Sequence, residues 1–175
     1  PSAEAVGREA GLFNEKNARL EGLALLGGGA VILAAERAPR GMVDILIDPE
    51  GTGSDEVHLA AYAFDDGDAG LPEPREPDFS DLFFDGESLY ALARNAEAVV
   101  RFAYDGEELL EFEVWSYAAV TNDPEFAYVD MTYGRAEGLC MDAERVYIVL
   151  DNNGQGRQTD PTDTRPQLFI FSRPR

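Results

Sequence analysis

Four acidic side chains recur at matched places along this 175-residue chain. Glu21 and Glu137 each sit in a Glu-Gly-Leu triplet at the start of an apolar run, and Glu36 and Asp151 each end the apolar run that follows. Carboxylates gathered in this way suit a hard cation, because calcium takes about 6–8 oxygen ligands from carboxylates, carbonyls and amides. Glu21, Glu36, Glu137 and Asp151 are therefore the candidate metal ligands, with Ca2+ as the candidate cofactor. Arg37, Ser80, Asp81, Arg94, Asn152 and Asn153 stand at or beside the corresponding places and are candidates for holding a small ligand next to it. At any one position a Glu can equally cap backbone amides or pair with an Arg, and the glycines of the triplets can serve only to permit a tight bend.

Other site chemistries find little purchase, and no catalytic residue is assigned. His58 is the sole histidine and falls in an outer-strand pattern, which argues against a Ser-His-Asp triad. No Gly-x-Ser-x-Gly elbow occurs. Ser80 would need a base, and Arg94 stays protonated. Cys140, between Leu139 and Met141, reads as a buried core thiol. Zinc-ligand spacing is missing, and "LLGGGAVIL" is a hairpin turn between strands rather than a phosphate loop. "LDNNGQGRQTDPTD" lacks the spacing and terminal Glu of an EF-hand.

The elements that must position these residues follow from an internal repeat. Leu20-Glu21-Gly22-Leu23, Phe79-Ser80-Asp81-Leu82 and Ala136-Glu137-Gly138-Leu139 align at steps of 59 and 57 residues. Each copy continues as a short apolar strand, a Gly- or Asp-rich turn and a second apolar strand. Further strands are expected at 42–48 and 57–64, at 98–104 and 109–118, and at 167–171. The segments 65–77 and 152–166 read as loop insertions, and "PSAEAVGREAG" is the one modest helical candidate. A four-stranded unit at this period is the signature of a β-propeller. The expectation is an all-β, single partial propeller domain over 1–175, with blades at about 18–65, 78–118 and 135–172. A β-sandwich is the structural alternative. Three blades do not close a ring, since propellers need about 4–8. Either a missing N-terminal half or a second copy must complete it, and the start at Pro1 reads as a cut or processed end.

In an antiparallel pair the start of one strand lies beside the end of its partner. Glu21 then meets Glu36, Ser80 meets Arg94, and Glu137 meets Asp151. If the first strand of each blade lines the channel, all of them converge on one mouth. The net charge of −20 disfavours nucleic acid and anionic membrane surfaces as partners. No apolar run reaches the roughly 18 residues of a membrane span.

"LEGLALL…VILAAER", "DFSDLFFDGESLYALARNAEAVVRF" and "AEGLCMDAERVYIVLDNNG…PQLFIF" resemble the second half of the propeller family named for the esterase-like activity of phytase, and the related SdiA-regulated family. The resemblance covers about residues 18–172. It implies a six-bladed ring to which this chain supplies three blades, and an exported bacterial protein, periplasmic or secreted. It also implies a rim where acidic residues hold calcium and calcium holds phosphate, to which Glu21, Glu36, Glu137 and Asp151 correspond in type. Ser80 and Arg94 depart from that pattern in the middle copy. Two function classes follow: a metal-dependent hydrolase of phosphate or carboxylic esters, with metal-bound water as nucleophile, and a non-catalytic module binding a small ligand, protein or glycan, with calcium as a structural clamp.

Overall fold

The computed structural model describes residues 2–46, 58–64, 71–104 and 109–174. Three antiparallel sheets follow one another along the chain, each a meander whose sequence neighbours pair. The first contains β1 (Leu20–Gly27), β2 (Ala30–Ala35), β3 (Gly41–Leu46) and β4 (His58–Ala63). The second contains β5 (Asp81–Phe84), β6 (Leu89–Ala93), β7 (Ala98–Tyr104) and β8 (Leu109–Ser116). The third has β9 (Ala136–Met141), β10 (Arg145–Leu150) and β11 (Gln167–Ser172). The all-β expectation holds, and each copy of the repeat forms its own sheet. Register repeats as well: Leu23 pairs with Leu33, Leu82 with Ala91, and Leu139 with Ile148.

The sheets stack face to face, and their first strands β1, β5 and β9 lie side by side. Between the first and second sheets, Ala24, Ile32, Ala34 and Met42 meet Leu82, Leu89, Val100 and Phe102. Between the second and third, Tyr90, Leu92 and Val99 meet Leu139, Met141, Val146 and Ile148. Every residue of β6 is buried because both of its faces are covered. β9, by contrast, alternates buried and open positions because one face has no described neighbour.

The connecting segments pack into the same seams. Phe64 and Phe79, flanking the first crossing, cluster with Phe102 at ring separations of 5.3–5.9 Å. Tyr128, from the second crossing, is fully buried between the second and third sheets. Before β1, Leu12 and Phe13 cover Ala35 and Val43 on the first sheet's far face.

Two expectations are corrected. Cys140 is exposed, because its strand position points to the uncovered face of the third sheet. The strand expected to reach residue 118 ends at Ser116, and the chain turns into a short helix. The expected N-terminal helix forms as α1 (Ala3–Glu9), its first turn capped by the Ser2 hydroxyl accepting from the Ala5 N–H, and the unforeseen one is α2 (Ala118–Thr121). Residues 47–48 and 57, placed in strands by the sequence reading, and 65–70 of the first insertion lie outside the described residues.

Candidate functional site

Arg94 follows β6 directly, so the strand aims it at the place where the three sheets meet. It donates from Nε to Asp78 (2.8 Å), from Nη2 to Glu36 (2.7 Å) and from Nη1 to Glu137 (3.0 Å). One guanidinium thus ties the end of β2, the approach to β5 and the start of β9. Arg37 also pairs with Glu36. Asp78 is wholly buried and its second oxygen accepts the Asn95 N–H at 2.7 Å. Burial pushes the Asp78 carboxyl up to about 6, against the opposing pull of Arg94 and that N–H. Burial works to lower the Arg94 pKa, but Asp78 and Glu137 outweigh it and hold it above its ordinary value. Glu21 is raised by partial burial and then by the charge of Glu36, with Arg94 opposing. Its carboxyl therefore shares the field of this cluster.

A cleft of about 560 Å3 opens over the junction, lined by Arg37, Arg94, Glu137, Asp151 and Asn153 of the expected residues. Glu15, Glu76, Asn95, Tyr133 and Arg135 complete the polar part of its wall. Ser80 and Asp81 do not line it. Ser80 is buried and its hydroxyl donates to the Ala136 carbonyl at 2.9 Å, stitching the second sheet to the third. Asp81 accepts the Leu139 N–H at 2.7 Å across the same seam, and burial raises its pKa. Asn152 donates to the Gln155 carbonyl within its own turn, at 3.0 Å. The following Asn153 adopts a left-handed backbone (φ 49°) at the cleft edge.

The far wall is placed by a second buried network. Arg75 donates to Glu97 at 2.8 Å and to the carbonyls of Asn95, Met131 and Thr132. Glu97 also accepts from Thr121 and Asn122. The segment carrying Tyr133, Gly134 and Arg135 is thereby pinned to the second sheet. Gly134 sits so close that a Cβ there would lie 1.8 Å from the Arg94 carbonyl oxygen. Asn95 Oδ1 accepts the Gly134 N–H at 3.2 Å, and Arg135 pairs with Asp130 at 3.2 Å.

Asp78, Arg135 and Tyr133 escaped the sequence reading. The repeat held a signal for two of them: Arg19, Asp78 and Arg135 occupy the same place, two residues before Glu21, Ser80 and Glu137. The backbone bears out the equivalence of Arg19 and Arg135, since Glu36 donates its N–H to the Arg19 carbonyl and Asp151 donates to that of Arg135, both at 2.8 Å.

Of the expected calcium ligands, Glu36 and Glu137 are already engaged by Arg94, Glu21 shares their field, and Asp151 lies with Glu137 on the cleft wall. Among the described residues, no group of three or more His, Cys, Asp or Glu is disposed to hold a metal ion. The cation that Glu36, Asp78 and Glu137 surround is the Arg94 guanidinium. As placed, these carboxylates fit that guanidinium rather than a metal, and no reaction step is derived through calcium. Among the described residues, no helix is long and apolar enough to cross a membrane. Comparison with models of known families, with curated proteins and with solved structures returned no match.

Proposed function

We propose that the three sheets are consecutive blades of a β-propeller, and that the cleft over Arg94 is the mouth of a non-catalytic binding module for a small polyhydroxylated ligand such as a glycan unit. The observation that carries this reading is the triple engagement of Arg94, which turns the carboxylate cluster into a partly neutralised, hydrogen-bonded floor. A floor already satisfied by its own guanidinium orients groups; it has no need of a metal to hold it. The wall mixes carboxylates, guanidinium groups and amides, with neither sign dominating. Such groups donate to and accept from hydroxyls. Tyr133, about half exposed at the cleft edge, offers a flat face of the kind sugar rings stack on. The cleft volume falls within the ~300–1,000 Å3 of small-molecule sites. An exported location, periplasmic or secreted, belongs to the same reading and rests on the family resemblance.

The test is a calorimetric and NMR screen of mono- and disaccharides and polyols, with and without calcium. Binding should weaken about tenfold or more in Tyr133→Ala and Asp151→Asn, a loss of ~1.4 kcal/mol. Micromolar calcium binding that disappears in Glu137→Gln, with turnover of simple phosphate or acyl esters, would instead establish the metal-dependent hydrolase.

A further inference from the structure

We infer that two copies of this chain associate head to tail, the open face of the third sheet of each packing on the open face of the first sheet of the other, so that six sheets close one ring. The inference rests on the propeller reading of the fold. Its evidence is positional equivalence. Each internal seam buries one face of an earlier sheet against the opposite face of the next. Leu23 and Leu25 are 55% and 68% exposed, yet their equivalents Leu82 and Phe84, and Leu139 and Met141, pack into the two seams. At the other end, Leu168 is 58% exposed, while its equivalents Met42 and Val99 are buried. The two unpaired faces are thus of opposite kinds and complement each other, as a closed head-to-tail interface requires.

A glycine supplies the independent observation. A Cβ on Gly22 would lie 2.8 Å from the Leu82 nitrogen, so the absent side chain is what lets β1 approach β5. Gly138 holds the same place in β9, but a Cβ there would meet only Val149 of its own sheet, at 3.6 Å. The chain carries a close-approach glycine where its described residues bring nothing close. The strand that fits against it is one equivalent to β5, and β1 of a second copy is such a strand. The segment before β1 covers part of the first sheet's open face, with Ala3 of α1, Leu12 and Phe13 packed on Ala35, Val43, Ile45 and Ala61, and leaves Leu23 and Leu25 of β1 uncovered for the contact. Closure would also set a second Arg94 cluster around the same mouth.

Sedimentation velocity and light scattering on the intact chain should report twice its 19.1 kDa mass. Leu168→Asp and Leu25→Asp change opposite faces and should each give monomers. Gly138→Val should also give a monomer that melts about as other monomeric variants do, since among the described residues the added Cβ meets only Val149, at an ordinary contact distance of 3.6 Å. A wild-type monomer across the micromolar range overturns the proposal while leaving the ligand-binding reading to its own screen. Dissociation by Leu168→Asp but not Leu25→Asp would mean that like faces pair, which overturns ring closure and the propeller reading with it. Open-ended oligomers would overturn closure as well.

Discussion

Arg94 is the residue on which the site depends, and its energetics follow from what it leaves behind. Asp78 and Glu36 are buried, so removing the guanidinium strands the Asp78 carboxylate away from water and leaves Glu36 with Arg37 alone. Arg94→Gln should cost about 3–5 kcal/mol in urea unfolding. Glu137 is far more exposed, and Glu137→Gln should cost under about 1 kcal/mol. Asp78 predicts a pH dependence of unusual sign. Its folded pKa of about 6 lies above the ordinary 3.8, so between those values the folded chain holds more protons than the unfolded one. Unfolding free energy from this group therefore falls as pH rises from about 4 to 6, and the favourable contribution is gone above the folded pKa. Denaturation of wild type and Asp78→Asn at a series of pH values checks this: the difference between the two should carry that slope. Glu36 and Glu137 were legible as site residues because the repeat marks them. Arg94 was legible as a neighbour at the same mouth, but its pairing with them was not, because a sequence shows that groups converge without showing which cation the carboxylates meet.

At the scale of elements, the seam between β1 and β5 depends on a missing side chain. Gly22→Ala would press its Cβ against the backbone of Asp81 and Leu82, which cannot swing aside. It should destabilise the chain by about 1–3 kcal/mol in thermal or urea unfolding. Gly134→Ala should be at least as damaging, because the obstructing atom is the Arg94 carbonyl oxygen. Strand positions were readable because apolar alternation and Gly or Asp turns punctuate each one. β7 forms over Ala98–Tyr104 as expected, while the end of β8 was misjudged. The run through Tyr117 and Ala118 is apolar and short, a pattern that strand and helix share. Tyr117 is buried at the helix start and Thr121 bonds to Glu97, so tertiary contacts decided the outcome.

For the molecule as a whole, the excess of acid is the dominant long-range term. Thirty-four acidic residues against fourteen basic ones leave a self-repelling surface. Salt shortens the Debye length from ~30 Å at ~0.01 M to ~8 Å at ~0.15 M, while buried pairs such as Arg94–Asp78 are screened much less. Stability should therefore rise across that range of sodium chloride. A gain of about 1 kcal/mol would appear as an increase of ~2–4 °C in Tm by calorimetry. A falling Tm would show that exposed ion pairs outweigh the net repulsion.

By itself the sequence determined three repeated units, their antiparallel meanders and the gathering of acidic strand ends. These properties are encoded locally, by alternation, turn residues and period. The tertiary structure alone decided what the gathered groups do. It paired Arg94 with three carboxylates, withdrew Ser80 and Asp81 into the seam between sheets, and turned Cys140 outward. Each of those outcomes depends on which face of a strand another sheet covers, and a strand's own residues alternate identically whether that neighbour is present or not.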